Sequence, residues 1–590
     1  MILSFRIAFG ARFCKLPVPT SKCFLSTRWI PKTRYTFIAT RSLSAFRRYP
    51  LFEALVKHDP GTTAVIHSLS GREFTYGQLV NDILRKATQI SAQAGVKEDE
   101  LRGERIALLI ENSYDYVVNL LAIIACDAIA VPLSPTFPVG ELQYVLDHSE
   151  ALMLLSSAKF EDKAKETLKE GLQHTPIYAL AEKSTPKSAH VEPPPIRQNT
   201  EREQGGLMLY TSGTTSRPKG VLLPTSSLNA QCLSLKEAWT YSTEDRLLHI
   251  LPLHHIHGVV NAILTPLLAG SSVEFLYPFS PNAVWSRFAE PFLSSPFKKP
   301  ITFFTAVPTV YSSLLATYAQ LPLEIRNALE TALHPSVLRL NISGSAALPT
   351  PTKAAWTQLT KGNILLERYG MTEVGMAISC GLPFSSRPDA SVGWPLPSVE
   401  ARLASLSDPT TILPPTSHSQ GEIHLRAPTI FKEYWRNPSD TAAAFTEDGW
   451  FRTGDVAVRR PHPARDDWAW HVLGRASMDM LKSGGELVSA LEIEREILSL
   501  PDSPVVEVAV VGVPSERWGQ SIVAVAKTKD KGYGVMDLRR ALKGRMARHK
   551  LPRRMCVVEQ IPRNAMGKVN KKELVRTLFR DGTAGQKSGK

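Results

Sequence analysis

Short apolar runs alternate with stretches of helical periodicity in the first third of the chain. The runs at 105–110, 129–133 and 152–155 are almost wholly apolar, which predicts buried strands, whereas 113–126 and 139–146 repeat their apolar residues at helical spacing. Strands that alternate with helices are typical of parallel βαβ units. We therefore expect an α/β domain built on a parallel sheet.

Further strand candidates lead into loops. These apolar runs lie at 206–210, 301–307 and 337–343. The stretch 183–204 is polar and contains consecutive prolines, so we interpret it as an exposed connection into the strand and loop that follow it.

The pattern changes after Asp455. A polar segment at 459–467 predicts a surface excursion, and 468–473 returns as a strand. Helix and strand patterns then alternate to the end of the chain, at 490–500, 507–513, 521–526, 535–549 and 555–558. About 115 residues suffice for a small α+β domain. We therefore expect a leader at 1–48, a large domain at 49–474 and a small domain at 475–590.

The formal net charge of +14 is concentrated at the amino terminus. Ten Lys or Arg residues and no Asp or Glu lie in the first 50 positions, which leaves about +4 for the rest of the chain and no strong case for nucleic-acid binding. The leader is also rich in Ser, Thr, Phe and Ala, the composition of a mitochondrial transit peptide. We expect a location in the mitochondrial matrix; a disordered basic arm is the alternative.

Neither a disulfide framework nor a membrane span is predicted. The six cysteines are scattered and form no CxxC motif, which is typical of a reducing compartment and disfavours a zinc site. The best apolar run, 116–126, is too short to cross a bilayer and contains Asn119.

Candidate chemistry is concentrated at 209–221, which has the sequence LYTSGTTSRPKGV. Hydroxyl-bearing residues and glycine follow the apolar strand, and Arg217 and Lys219 flank the rigid Pro218. Backbone N–H groups, hydroxyls and a lysine in such a turn can surround phosphate oxygens. A Walker A loop is excluded because Pro218 stands where that motif requires glycine. A solvated surface loop is the alternative.

This loop resembles the phosphate-binding loop of the adenylate-forming superfamily, which includes acyl-CoA synthetases, luciferases and peptide-synthetase adenylation domains. Their pattern is [Y/F]TSGTTGxPKG, and Ser216 stands here where glycine is usual. The resemblance implies a two-domain α/β architecture, with a large amino-terminal domain and a small mobile carboxy-terminal α+β domain. It also implies that ATP is bound by Thr211, Ser212, Gly213, Thr214, Thr215, Ser216, Arg217, Pro218 and Lys219.

A second motif, ERYGMTE, matches the same superfamily. The resemblance gives Tyr369 the role of stacking on adenine and gives Thr372 a contact with the α-phosphate. It assigns Glu373 to the Mg²⁺ that bridges the phosphates, and a carboxylate is a natural oxygen ligand for this ion. A buried loop at the end of a strand is the alternative.

Two further motifs would complete the nucleotide site. In NISGSAALP, the resemblance places Gly344 and Ser345 against the adenine. In WFRTGD, it gives Asp455 to the ribose hydroxyls, and Arg475 would reach the ribose or a phosphate.

The carboxy-terminal region resembles the superfamily's mobile domain. Ser477 occupies the position of the hinge, where Asp or Lys is common, and Gly484–Gly485 suits a backbone that must lie close to a thiol-bearing arm. The PRNAMGK motif ends at Lys568, which would bridge the substrate carboxylate and the α-phosphate. Rotation of this domain would separate two half-reactions.

The PLHHIHG motif would line the acyl pocket. In the resembled family the histidine that matches His255 faces the substrate; structural packing is the alternative for both His254 and His255, and more so for His254. A metal site formed by His254 and His257 is disfavoured because no acidic residue or cysteine is near them in sequence.

Several motifs are most similar to those of the mitochondrial malonyl-CoA synthetases: PLHHIHGVVNA, ISGSAALP, LLERYGMTEVGMAIS, KSGGELVSALEIE and IPRNAMGK. This resemblance implies that malonate, ATP and coenzyme A give malonyl-CoA through malonyl-AMP. Arg368 is then the candidate cation for the second carboxylate, which an arginine can bind bidentately. The implied catalytic residues are Lys568, Thr372, Glu373 and His255.

Two alternatives remain open from the sequence. Within the enzyme class, the substrate could be methylmalonate or a short or medium fatty acid. From another class, the chain could be an inactive homologue that binds nucleotide as a regulator, although the intact Lys219, Glu373, Asp455, Arg475 and Lys568 argue against it.

Overall fold

The computed structural model describes residues 45–169, 171–186, 194–199, 201–211, 217–293, 298–462, 465–563 and 569–579. Within them, strands and helices alternate between residues 105 and 167, as the hydrophobic pattern predicts, and the two kinds of element are mixed as far as about residue 371. Strands then predominate as far as the carboxy-terminal elements.

The strands of the described residues are, in chain order, β1 (Phe46–Arg47), β2 (Thr63–His67), β3 (Glu73–Thr75), β4 (Arg105–Leu109), β5 (Ile129–Pro132), β6 (Met153–Ser156), β7 (Ile177–Leu180), β8 (Ile196–Arg197), β9 (Gly206–Thr211), β10 (Lys219–Pro224), β11 (Arg246–His249), β12 (Ser272–Phe275), β13 (Phe303–Ala306), β14 (Leu340–Ser343), β15 (Leu366–Met371), β16 (Gly375–Ser379), β17 (Trp394–Pro395), β18 (Glu400–Ser405), β19 (Gly421–Arg426), β20 (Glu433–Tyr434), β21 (Phe451–His462), β22 (Arg465–Arg475), β23 (Met480–Ser483), β24 (Glu486–Ser489), β25 (Val505–Ser515), β26 (Gly519–Thr528) and β27 (Arg554–Val557).

The α-helices of the same residues are α1 (Pro50–Lys57), α2 (Tyr76–Ala94), α3 (Tyr114–Ala125), α4 (Val139–Ser149), α5 (Glu161–Thr167), α6 (Thr225–Ala238), α7 (Thr265–Ala269), α8 (Pro281–Ala289), α9 (Pro308–Tyr318), α10 (Leu323–Ala332), α11 (Thr350–Leu359), α12 (Pro438–Ala443), α13 (Ala490–Leu498), α14 (Val535–Leu542) and α15 (Lys571–Leu578). A π-helix at His257–Leu264 precedes α7.

A seven-stranded sheet has the order β20-β10-β9-β5-β4-β6-β7. Its strands β9, β5, β4, β6 and β7 are parallel, which confirms the predicted βαβ units. The strands β9 and β10 are antiparallel, and the two-residue strand β20 closes one edge by pairing with β10. The phosphate loop therefore connects two adjacent strands near that edge.

A nine-stranded sheet has the order β17-β16-β15-β14-β13-β11-β12-β2-β3. Strands β2, β12, β11, β13, β14 and β15 run parallel, so their carboxyl ends lie at one edge. The motifs that contain His255, Gly344 and Tyr369 leave this sheet at or near those ends, the usual position of ligand sites in open α/β sheets. Helix α3 is buried along its whole length.

The carboxy-terminal elements form a small α+β domain with its own apolar core. Strands β23 to β27 form a five-stranded sheet, and α13 and α14 pack on an apolar cluster that includes Ile493, Val510 and Leu538. The chain enters this domain from β22, which ends at Arg475 in a four-stranded sheet of the order β18-β19-β21-β22. The domain limits expected from the sequence stay predictions.

Three local expectations need correction or comment. The helix predicted at 535–549 ends at Leu542, because Gly544 has a φ of +85°, a left-handed conformation that terminates helices. In the predicted surface excursion at 459–467, residues 459–462 are the end of β21 and residues 465–467 are the start of β22. The connection predicted at 183–204 includes β8, which pairs in parallel with β1, so residues 46 and 47 of the expected leader pair with the body of the chain.

The described helices include none that is both long and apolar enough to span a membrane.

Candidate active site

The carboxylate of Asp455 is hydrogen-bonded to two other predicted nucleotide contacts, Tyr369 and Arg475. Asp455 lies on β21 directly opposite Arg475 at the end of β22. Arg475 donates from Nε to Asp455 Oδ1 at 2.9 Å, and the hydroxyl of Tyr369 donates to Asp455 Oδ2 at 2.7 Å. Burial, together with the charge of Asp455, raises the pKa of Tyr369 well above its usual range. Tyr369 therefore stays a protonated donor, and Asp455 is fixed on both sides.

The two ends of the phosphate loop are held in register. Thr211 on β9 and Lys219 on β10 are cross-strand partners. Helix α4 supports the second end, because the hydroxyl of Tyr144 donates to the carbonyl of Pro218 at 2.8 Å and the Arg217 guanidinium lies 5.4 Å from the centre of the Tyr144 ring. The predicted contacts Ser212, Gly213, Thr214, Thr215 and Ser216 lie outside the described residues.

Glu373 and Lys219 both contact Tyr434, a residue that the sequence analysis did not predict for the site. Glu373 Oε1 accepts a hydrogen bond of 2.9 Å from the hydroxyl of Tyr434, and Lys219 Nζ lies 5.0 Å from the centre of the Tyr434 ring. Lys219 Nζ also forms an ion pair of 2.5 Å with Asp440. Thr372 precedes Glu373 in the same turn between β15 and β16 and is half-buried.

The charged guanidinium of Arg368 is buried in the protein interior. The residue is 5% exposed, and its only described side-chain hydrogen bond runs from Nη2 to Ser345 Oγ at 3.4 Å. The buried Nε has no hydrogen-bond partner, and no carboxylate among the described residues forms an ion pair with the guanidinium. Burial lowers the pKa of Arg368 to about 9. An unpaired buried cation of this kind is costly and creates a site for an anion.

The guanidinium of Arg368 lies where a side chain at position 344 would lie, and Gly344 has none. A Cβ atom at Gly344 would lie 2.5 Å from both Cζ and Nε of the Arg368 guanidinium, so any larger residue would displace it. Glu367, the neighbouring acid, does not neutralise Arg368, because its carboxylate lies 3.0 Å from Lys353 Nζ instead.

The histidine motif lies beside this cation. His257 begins the π-helix, a rare element that often occurs at functional sites. Its Nε2 contacts Thr305 Oγ1 at 2.5 Å, and its Nδ1 is buried with no hydrogen-bond partner. Burial and then the charge of Arg368 lower the pKa of His257 well below its usual range, so the ring is neutral.

The two preceding histidines differ in exposure. His254 is buried, whereas His255 is half-exposed, and their ring centres are 4.1 Å apart. His255 is therefore the more accessible of the two rings. Within the described parts of the chain, no group of three or more His, Cys, Asp or Glu residues is arranged to hold a metal ion.

The segment predicted as the hinge contacts the carboxy-terminal elements. Arg475 donates its backbone N–H to Asp479 Oδ2 at 3.0 Å, across the turn that contains Ser477. Asp479 Oδ1 in turn lies 2.7 Å from Nζ of Lys571, the first residue of α15. Gly484 and Gly485 both adopt left-handed φ values, of +65° and +85°, at the tip of the β23–β24 hairpin. Lys568 lies outside the described residues.

Fold and site together define an adenylate-forming enzyme, and the chain belongs to the AMP-binding enzyme family. The family's AMP-binding enzyme domain matches residues 52–435, and its AMP-binding enzyme C-terminal domain matches residues 492–568.

Relatives refine this class. The chain is 51% identical over 571 residues to a protein of Gibberella moniliformis named CoA ligase, a match that covers 90% of this chain and 95% of the relative. It is 37% identical over 523 residues to the mitochondrial malonate–CoA ligase ACSF3 of Homo sapiens, with 85% and 88% covered. The crystal structure of ATP-bound MatB from Rhodopseudomonas palustris has 29% identity and a TM-score of 0.73, with 92% of this chain and 99% of MatB covered.

Proposed function

We propose that this chain ligates malonate to coenzyme A in two steps. Malonate attacks the α-phosphate of ATP, which gives malonyl-AMP and releases pyrophosphate. The thiol of coenzyme A then attacks the acyl carbon of this mixed anhydride, its proton passes to solvent, and AMP leaves. Relatives named malonate–CoA ligase support the substrate, and the family supports the adenylate route.

Arg368 is the observation that carries the choice of malonate. Malonate bound for adenylation directs one carboxylate at ATP and the other into the acyl pocket, where that second charge needs a cation. The buried guanidinium of Arg368 has no carboxylate partner among the described residues, and its N–H groups can donate two hydrogen bonds to a single carboxylate. The buried ring of His257 lies near enough to Arg368 for the charge of the guanidinium to lower the pKa of that ring, which is neutral. A monocarboxylate would leave Arg368 unpaired.

The nucleotide site has one cationic side and one anionic side. We assign Lys219 and Arg217 to the phosphates, with Thr211 and residues 212–216 of the loop. Asp455 would accept hydrogen bonds from the ribose hydroxyls, and Arg475 holds Asp455 in place at 2.9 Å. Tyr369 would lie against the adenine, beside the turn of Gly344 and Ser345.

Glu373 fits a magnesium ion that arrives with ATP. Mg²⁺ is usually held by one or two carboxylates together with substrate phosphates and water rather than by a complete protein cage. Tyr434 contacts only Oε1 of Glu373, which leaves Oε2 for the ion. A Mg²⁺ ion there would neutralise charge on the phosphates.

The second half-reaction would use the other face of the small domain. We assign the hinge to Ser477 and the approach of the coenzyme A thiol to Gly484–Gly485, whose left-handed backbone presents no side chain. Lys568 would serve the first half-reaction by stabilising charge between malonate and the α-phosphate.

The test is a panel of acids with pyrophosphate and AMP as readouts. Wild-type protein should turn over malonate faster than methylmalonate, butyrate or octanoate; absence of pyrophosphate with every acid would favour the inactive regulator. Arg368→Met should lower kcat/KM for malonate by two to three and a half decades, because breaking a buried pair costs about 3–5 kcal/mol. Butyrate should be spared, and Arg368→Lys should retain part of the malonate activity. Equal loss of malonate and butyrate activity would contradict the assignment.

We further propose that the protein works in the mitochondrial matrix. The basic, acid-free leader and the mitochondrial relatives support this location. A fluorescent fusion of residues 1–50 should enter mitochondria, and a cytosolic fusion would overturn the proposal.

A further inference from the structure

Tyr434 lies between the two charged groups that we assign to the phosphates and their metal ion. Its strand, β20, pairs with β10 so that Tyr434 is opposite Val221, two residues after Lys219. Its neighbour Trp435 donates its backbone N–H to the carbonyl of Gly220 at 2.7 Å. The tyrosine is therefore anchored directly to the strand that follows the phosphate loop.

The same segment holds Glu373 at two points. The backbone N–H of Phe431 donates to the carbonyl of Glu373 at 2.7 Å, and the hydroxyl of Tyr434 donates to its carboxylate at 2.9 Å. A hydrogen bond to Oε1 fixes the rotation of the carboxylate and so fixes the direction of Oε2. Hydrogen-bond partners of metal-binding side chains orient them in this way, and their loss typically costs about 10–100-fold in metal affinity or activity.

The ring of Tyr434 contacts the cation on the other side. Lys219 Nζ lies 5.0 Å from the ring centre, within the range of a cation–π contact. The ring itself is held by Phe431, whose centre is 4.7 Å away, and the backbone N–H of Tyr434 donates to Thr441 Oγ1 at 3.0 Å. Tyr434 is thus restrained by groups other than the two that it positions.

We propose that Tyr434 is a positioning residue for the adenylation step, with its hydroxyl orienting Glu373 toward the metal ion and its ring holding Lys219 toward the phosphates. This inference rests on the proposed function, which assigns Glu373 to Mg²⁺ and Lys219 to ATP. It goes further by assigning to one side chain from an edge strand a contact with both groups, Lys219 being held also by its ion pair with Asp440. A tyrosine that only packed the strand would leave the response to Mg²⁺ unchanged.

Tyr434→Phe is the direct test, because it removes the hydroxyl and keeps the ring. Tyr178→Phe is the matched control: Tyr178 lies on β7, at the opposite edge of the same sheet, and its hydroxyl is 3.0 Å from Ser156 Oγ. Calorimetric titration with ATP, in the absence of malonate, gives the affinity with and without Mg²⁺. The gain in ATP affinity caused by Mg²⁺ should fall about 10–100-fold in Tyr434→Phe and stay at the wild-type value in Tyr178→Phe.

Steady-state adenylation provides a second readout. The Mg²⁺ concentration for half-maximal pyrophosphate release should rise by a similar factor in Tyr434→Phe, while KM for malonate stays constant. Tyr434→Leu, which also removes the ring, should in addition raise the dissociation constant for ATP without Mg²⁺. An unchanged Mg²⁺ response in folded Tyr434→Phe, or an equal change in Tyr178→Phe, would overturn the inference.

Glu373→Gln separates this inference from the proposed function. If Glu373→Gln kept the wild-type Mg²⁺ response, the assignment of Glu373 to the metal ion would fail, and the role of Tyr434 with it. If Glu373→Gln lost that response while Tyr434→Phe kept it, only the inference about Tyr434 would fail.

Discussion

At the scale of single residues, two equally buried arginines, Arg368 and Arg387, differ in the hydrogen bonds that their guanidinium groups make. Arg387 is 4% exposed and donates to the carbonyls of Gly381, Ile364 and Leu382 at 3.0, 2.5 and 2.6 Å. Arg368 is buried to a similar degree but makes one hydrogen bond of 3.4 Å. Burial lowers the pKa of both, to about 10 for Arg387 and about 9 for Arg368. Among the described residues, Arg387 has hydrogen-bond acceptors for its buried charge, whereas Arg368 has one long hydrogen bond.

This contrast predicts opposite effects on stability. Arg368→Met removes an uncompensated charge and should leave the free energy of unfolding unchanged or raise it by about 1 kcal/mol or more. Arg387→Met leaves three carbonyls without their donors and should lower it, by about 1–3 kcal/mol for each buried group left unpaired. Urea unfolding without ligands measures both variants. A destabilised Arg368→Met would identify Arg368 as a structural residue, whatever its effect on catalysis.

At the scale of elements, the sequence predicts those that carry their own pattern. The helix expected at 113–126 forms at Tyr114–Ala125, and the Ser113 side chain caps it by accepting from the N–H of Tyr116 at 3.3 Å. Apolar runs such as 105–110 and 152–155 form the expected strands β4 and β6. Each of these segments carries a local signal, either a helical spacing of apolar residues with a capping residue or a continuous apolar run.

Elements that exist through partners distant in the chain were not predictable. Strand β20 has two residues and no hydrophobic period, and it forms because β10 offers it a free edge. Tyr434 was therefore missed, although it contacts two predicted site residues. The π-helix was missed for a related reason, since the run His257–Leu264 has the composition of any buried helix. Contacts with distant parts of the chain determine whether β20 and the π-helix form, and the local sequence does not reveal those contacts.

Lys571 connects two elements of the small domain through buried charge. Its Nζ lies 2.7 Å from Asp479 Oδ1 near the hinge and 2.7 Å from Glu494 Oε1 on α13, with its side chain 9% exposed. Lys571→Met leaves two largely buried carboxylates without their cation and should lower the free energy of unfolding by about 3–5 kcal/mol. Lys572→Met, the next residue on the same helix and exposed, should change it by less than about 0.5 kcal/mol. Chemical unfolding at pH 8 compares the two; similar values would show that the charges are compensated in another way.

The loss in Lys571→Met should also depend on pH. Burial raises the pKa of Glu494, and Lys571 opposes that shift, so the variant's folded state should bind a proton at Glu494 more readily than its unfolded state. Between the unfolded and folded pKa values the folded state then holds more protons, and stability falls as pH rises. The deficit of Lys571→Met against wild type should therefore be larger at pH 8 than at pH 5.5. A deficit that grew on acidification would contradict this assignment.

At the scale of the whole molecule, residues from motifs far apart in sequence come into contact. Tyr369, Asp455 and Arg475 come from three strands and form one hydrogen-bonded group. Gly344 and Arg368 are in contact, although the sequence had linked Gly344 only to the adenine. Motif order could predict that such residues share a site. It could not predict which side chains touch, because that depends on the register of neighbouring strands.

The two-domain architecture leads to a prediction about the catalytic cycle. Lys568, which lies outside the described residues, belongs to the same small domain as Gly484–Gly485, and a rotation near Ser477 would bring each to the adenylate in turn. Lys568→Ala should reduce malonyl-AMP formation by about 10²–10³-fold or more, the usual effect of removing a preorganised electrostatic donor. Given chemically prepared malonyl-AMP and coenzyme A, the same variant should form malonyl-CoA at nearly the wild-type rate.

Single-turnover measurements of the two half-reactions, with Lys572→Ala as the control, decide the matter. Lys572 is exposed on α15, so its loss should affect neither step. An equal loss of both steps in Lys568→Ala would mean that this lysine serves a single arrangement of the domains. The chain of hydrogen bonds and ion pairs from Asp455 through Arg475 and Asp479 to Lys571 would then hold the domains in that one arrangement. If only adenylation is lost, the same link connects the ribose site to a domain that turns, and Ser477 lies within it, between Arg475 and Asp479.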